Sequence, residues 1–264
     1  VDDVVSWRGS FRTHPNLTAG DTLPQKLAVS LLDMGTQQRD RFALAQVLED
    51  CGAKLDLSSD GLYVDVSGRA LAEDVPEVMD VLAEMLRTPS FEAEEFEKAR
   101  AQAAANVRRR MEKTGAQAGS ALTRRLFGDG HPNYNEPPEE TLRRLEGLSL
   151  EDVRAYHANH FGTEGLTLAV VGDLDHDRIA AVVEDAFDGW EPHGAPSVHE
   201  TDAVETEPGR DDIPMPDRSN VDVRMGHAVP VRRDHEDYPA LYVGNYILGG
   251  NFAARLMSTV RDEK

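Results

Sequence analysis

Cysteine is almost absent from this chain of 264 residues, and Cys51 is the only one. A single thiol excludes an internal disulfide and a thiolate metal cluster, and its place in the apolar run LAQVLEDCGA reads as core packing rather than nucleophilic duty. Lysine is scarce as well, with five among 28 basic residues, and these face 48 acidic ones for a formal net charge of -20. Such a surface repels nucleic acid and anionic membranes. It resembles the acidic, lysine-poor surfaces of proteins from salt-rich surroundings. No segment approaches the roughly 18 continuous apolar residues that a membrane-crossing helix needs. No Gly-Lys-Ser/Thr follows Gly249-Gly250, so that glycine pair reads as a turn before a helix rather than a phosphate cradle. No Ser/His/Asp set can be named from spacing, and the abundance of Asp and Glu makes any one carboxylate pair uninformative.

What is present is an apolar content of 40%, enough for a sizeable packed core. The spacing predicts a strand over 4–11 and a helix entering LPQKLAVSLLDMG, with Thr22 and Gln25 as a capping pair and Gly35 as its stop. A second helix is expected over 41–51, then a hairpin around Ser58-Ser59-Asp60-Gly61. Val75, Val78, Leu82, Met85 and Leu86 form an amphipathic helical stripe. A long alanine-rich helix is expected over 91–111, where Arg108, Arg109 and Arg110 read as a solvated helix end. Further helices are expected over 117–127, 139–145, 150–160 and 179–187, a buried strand over 166–171, a strand over 221–231 and a helix over 237–248. Residues 192–220 shift to Pro, Gly, Asp, Glu and Thr. The expected organisation is therefore a domain over 1–195, a linker over 196–219 and the beginning of a second domain over 220–264.

His157 and His160, in HANH, are three apart on one helix, a spacing two imidazoles on a metal would use. No third ligand is evident, and a helix end is an ordinary place for histidine. The chain opens on Val1 and stops inside an expected helix, so it reads as a piece of something longer. Exported, periplasmic and cytoplasmic settings all stay open.

The order of elements carries more information than any one residue. LLDMGTQQRDRFALAQVLEDCGAKLDLSSDGLYVDVSG, DVPEVMDVLAEMLRTPSFEAEEFEKAR and HPNYNEPPEETLRRLEGLSLEDVRAYHANHFGTEGLTLAVVGDLD, with the closing ILGGNFAARLMSTVRDEK, resemble the pitrilysin, insulysin and mitochondrial-processing-peptidase family of zinc peptidases. The resemblance implies an α+β fold: a two-layer domain with a mostly antiparallel sheet covered by helices on one face, followed by a second similar domain. It also implies halves that close around a peptide.

Active halves of that family carry HxxEH on the first helix and a third ligand on a later long helix. With Gly35-Thr36 placed on the family's Gly-Thr, those positions fall on Lys26, Val29, Ser30 and Asn106. A cation, an alkyl group and two neutral polar groups are not a zinc donor set, so no metal is expected in this chain and zinc is expected in a partner HxxEH half. The resemblance gives Arg261 the place of an arginine that contacts substrate and the developing oxyanion in the partner's site, with a tyrosine expected seven residues later. It gives Leu55, Asp56, Leu57 and Ser58 the place of a sheet edge onto which peptide substrate adds as a strand. The implied function is the non-zinc half of an insulinase-like metallopeptidase. The alternative is a catalytically silent peptide-binding or assembly subunit of the same fold.

Overall fold

The structure, a computed structural model, describes residues 3–13, 19–61, 63–129, 131, 133–173, 175–193 and 207–262. Most of the expected loop after the first strand, Leu62 of the hairpin, linker residues 196–206 and the last two residues lie outside that set.

The elements run β1 (Val4–Arg12), α1 (Ala19–Val29), α2 (Arg41–Asp50), β2 (Lys54–Ser59), β3 (Tyr63–Leu71), α3 (Val75–Arg87), α4 (Ala93–Met111), α5 (Thr114–Leu126), α6 (Pro138–Gly147), α7 (Leu150–His160), β4 (Thr167–Val171), α8 (His176–Phe187), α9 (Tyr238–Gly249) and α10 (Arg255–Met257). A π-helical turn, Ser258–Asp262, follows α10.

The four strands form one antiparallel sheet in the order β2-β3-β1-β4. Its inward face carries Val5, Trp7 and Phe11 from β1 and Val64, Val66 and Ala70 from β3, all buried, while Ser6 and Arg8 face outward. That period of two is what an antiparallel sheet with one solvated face requires. Helices cover the inward face: Leu27, Leu31 and Leu32 at α1, Val78, Met79, Leu82 and Leu86 of α3, and Val153 and Tyr156 of α7 enter the same core. The α+β fold with helices on one face is thus the one the family resemblance implies. Phe11 meets Phe161 and Trp190 edge to face at 5.5 and 6.1 Å, which ties the central strand to the chain on either side of β4.

Several boundaries follow local chemistry. Asp40 caps α2 by accepting from the Phe42 and Ala43 N–H groups, and Ser149 with Asp152 forms a reciprocal capping box on α7. The pairing of Thr22 with Gln25 as a helix start is not observed. α1 begins at Ala19, so both lie within it, and Gln25 is buried and bonded elsewhere. The chain tightens after Val29 through Leu31 N–H to Ala28 and Leu32 N–H to Val29, before Gly35 turns it at φ 129°. Phe91 is not helical: it stands at φ 48° ahead of α4.

The chain divides into two compact units, Val1–Thr201 with Gly209–Met225, and Asp202–Pro208 with Gly226–Lys264. The strand expected over 221–231 does not form. This stretch joins no ladder, and Val221, Val223 and Met225 are exposed, because a strand needs a neighbouring edge and none pairs with it among the described residues. In the second unit α9 leaves Tyr242, Val243 and Ile247 exposed.

Gly68 marks the tightest packing of the sheet: a Cβ there would lie 2.4 Å from Cζ2 of Trp7, whereas one on Gly119 in α5 would meet nothing within 4 Å. Gly68→Ala is therefore expected to lower unfolding free energy by about 1–3 kcal/mol. Gly119→Ala should be neutral or stabilising by up to about 1 kcal/mol. Urea denaturation of the two variants checks this, and equal effects would contradict the packing.

Candidate functional site

The site is built where α1 passes the β2–β3 turn. Gln25, fully buried on α1, donates from Nε2 to Thr13 Oγ1 at 2.8 Å and accepts from the Ser59 hydroxyl. Thr13 shares a hydrogen bond with the Tyr156 hydroxyl at 2.8 Å, and Ser59 Oγ accepts the Gly61 N–H at 3.1 Å. One amide thus joins the end of β1, α7 and the hairpin turn. Gly61, at φ 98°, lets that turn approach Lys26, the next residue of α1.

Lys26 opens onto a cleft of about 580 Å³ shared with Asp60, Gly61 and Arg110. Its ammonium is reached by solvent yet walled by protein on several sides. That burial, and then Arg110, lower its pKa below the ordinary lysine range, against a smaller opposing pull from Asp60. Val29 is buried in the core at 5% exposed, whereas Lys26 is exposed. Ser30 is exposed just beyond α1, and its hydroxyl donates to the Leu27 carbonyl at 2.9 Å. Asn106 is exposed on α4, where its carbonyl oxygen accepts from Gln102 at 3.0 Å and from Arg109.

None of these four residues suits Zn²⁺. Lys26 presents a cation, Val29 has no donor atom, and a neutral hydroxyl and a neutral amide are weak ligands beside imidazole, thiolate or carboxylate. Among the described residues no three His, Cys, Asp or Glu side chains gather as a metal site. The loop after α1 is nonetheless firmly held. Thr36 and Arg39 both donate to the buried Glu84 carboxylate of α3, and Thr36 pairs with Pro89.

The remaining candidates separate clearly. β2 is an outer strand, paired with β3 on one side only among the described residues, with Lys54, Asp56 and Ser58 exposed and Leu55 and Leu57 half-buried. Arg261 lies exposed in the π-helical turn of the second unit, 6.0 Å from the Phe252 ring centroid. Cys51 is buried, and burial followed by Asp74, Glu77 and Asp50 raises its thiol pKa, which suits packing rather than nucleophilic attack. His131 stacks on Phe127 at 4.4 Å and takes the Asn133 N–H, a structural role.

His157 is a clasp and not half of a metal pair. Its Nε2–H donates at 2.8 Å to the carbonyl of Leu86, one of the last carbonyls of α3, which has no partner within that helix. The ring packs on Phe91 at 5.1 Å and on Phe161 at 4.6 Å, whereas His160 lies against Tyr156. Phe91 keeps its left-handed backbone between this ring and Arg154, which donates to its carbonyl at 3.0 Å. Sequence spacing had no means of finding the Gln25 relay or this clasp, because each joins residues far apart in the chain.

Burial lowers the His157 pKa, partly offset by the bond to Leu86. In the unfolded chain it titrates near 6.5, so between that value and the depressed folded value the unfolded state binds the extra proton. The stabilisation from His157 is then complete above about pH 6.5 and is lost as pH falls below it. The stability difference between the native protein and His157→Gln, followed by urea denaturation from pH 8 to pH 5, should shrink on the acid side. A difference that stays constant across that range would contradict the clasp.

Comparison with known proteins places this geometry. The model of the insulinase peptidase family M16 matches residues 28–130, and that of the peptidase M16 inactive domain matches residues 147–264. An uncharacterized zinc protease of Streptomyces coelicolor is 22% identical over 242 residues, covering 89% of this chain and 51% of that protein. The non-peptidase homolog YmxG of Helicobacter pylori is 24% identical over 237 residues, covering 89% and 54%. The chain thus spans about half the length of these relatives. A crystal structure of a peptidase M16 inactive domain from Pseudomonas fluorescens shares the fold, with a TM-score of 0.82 at 22% identity, over 100% of this chain and 63% of that one. With the fold, the order of elements and both family models in agreement, the chain belongs to the insulinase-like peptidase family M16, as a member without the HxxEH zinc motif.

Proposed function

We propose that this chain is the non-zinc half of a family M16 metallopeptidase, enclosing a peptide substrate and supplying Arg261 to the zinc site of a partner half. One observation carries the reading: the insulinase-like fold is retained while the motif positions Lys26, Val29, Ser30 and Asn106 hold no zinc donor set. On this reading residues 1–195 are the first domain, 196–219 a linker and 220–264 the opening of a second. The HxxEH partner holds Zn²⁺, which when bound activates water for peptide hydrolysis. The contribution of this chain is positional and electrostatic. The outer strand β2 offers backbone donors and acceptors over Leu55, Asp56, Leu57 and Ser58, to which an extended peptide adds. The exposed guanidinium of Arg261 supplies a cation for the charge that develops on the attacked carbonyl.

A second reading, a catalytically silent peptide-binding or assembly subunit, is favoured by the similarity to a non-peptidase homolog. Reconstitution separates the two. Full-length chain mixed with the HxxEH chain of the same source should hydrolyse unstructured peptides that neither chain cleaves alone. Arg261→Ala should lower kcat by roughly 100-fold or more with a smaller change in KM, and Arg261→Lys should restore part of it. Activity that is indifferent to this chain, or to Arg261, would favour the silent subunit.

A further inference from the structure

The cleft beside α1 brings together two cations, Lys26 from α1 and Arg110 from the last turn of α4. Neither side chain makes a hydrogen bond or close ion pair among the described residues. Two acids share the wall. Glu136 is already held by Arg144 at 2.9 Å and by the Thr141 hydroxyl at 3.1 Å. Asp60 accepts the Tyr63 N–H at 2.8 Å, and its pull on Lys26 is outweighed by burial and by the repulsion from Arg110. Two like charges kept together in a partly desolvated cleft cost free energy that an entering anion would relieve. Their presence is the more telling in a chain of net charge -20, where carboxylates to neutralise them are plentiful. Uncharged donors, Gln117, Asn133 and Asn135, line the same space.

We propose that this cleft receives a carboxylate carried by an extended peptide, with Lys26 and Arg110 as its anion contacts. The inference rests on the peptide-binding reading above and gives it a substrate class: acidic rather than basic peptides. β2 ends at Ser59, and the Asp60-Gly61 turn that follows forms part of the cleft wall. A peptide added along Leu55–Ser58 therefore lies next to the two cations. A guanidinium grips a carboxylate through two parallel N–H bonds, and an ammonium adds a point charge. The carboxylate has two sources in a peptide, an acidic side chain and the free C-terminus. Neither is expected to bind from the overall charge of the protein, which repels acidic peptides.

The test is fluorescence anisotropy with the full chain and three labelled nonapeptides rich in Val and Thr. One carries two glutamates and an amidated end, the second has glutamines in their place, and the third is the glutamine peptide with a free C-terminal carboxylate. The proposal expects the glutamate peptide, the free-carboxylate peptide or both to bind at least about 10-fold more tightly than the neutral twin, which is about 1.4 kcal/mol. That preference should weaken with salt and vanish in the double variant Lys26→Gln, Arg110→Gln. Both side chains are exposed, so the variant should fold, and circular dichroism checks this. Equal binding of all three peptides would overturn the acidic preference while leaving the peptide-binding reading standing. Absence of binding by any would overturn both. A preference that survives in the double variant would overturn the assignment to Lys26 and Arg110.

Discussion

The buried amide of Gln25 is the interaction on which the functional end of the molecule depends. It has one donor engaged by Thr13 and its acceptor engaged by Ser59, and through these it reaches Tyr156 and the Gly61 N–H. Each of these groups sits where a lost partner leaves a polar atom poorly served, at about 1–3 kcal/mol apiece. The end of β1, α1, the β2–β3 turn and α7 are therefore held as a set. Lys26 follows Gln25 directly, about 100° further round the helix. With Gln25 fixed inward, Lys26 faces outward, onto the cleft.

Most of the fold was legible because its signals are local. The stripe Val75, Val78, Leu82, Met85 and Leu86 is buried along its whole length, as its 3.6 period requires. The capping box at Ser149 marks the start of α7, and Gly52, at φ 55°, follows the end of α2. What escaped is non-local. Gln25 looks like a helix-start residue in a window of four, and only the folded chain brings Thr13 and Ser59 to it. Phe91 lies in a helical-looking run, yet its left-handed backbone is sustained by His157 and Arg154, more than sixty residues away. Val221–Val231 alternates like a strand, but alternation does not supply a neighbour to pair with.

The candidate site was legible in a different way. Its chemistry came from aligning Gly35-Thr36 on a family pattern, which assigned Lys26, Val29, Ser30 and Asn106 their positions. The structure shows where each of the four sits. Val29 belongs to the core, Ser30 completes a helix end, Asn106 bonds along its own helix, and Lys26 alone of the four lines the cleft. Arg110, read from the sequence as part of a solvated helix end, lines the cleft with it. The resemblance gives Lys26 the place of a zinc ligand in active halves, and in this chain that position carries a cation beside a second one, Arg110.

The central claim is that this half keeps the insulinase-like fold without a zinc donor set. Metal content measured by mass spectrometry on the full chain, after loading with excess Zn²⁺ and dialysis against a weak chelator, tests it most directly. The account predicts well under one zinc per chain. One tightly held zinc per chain would contradict it.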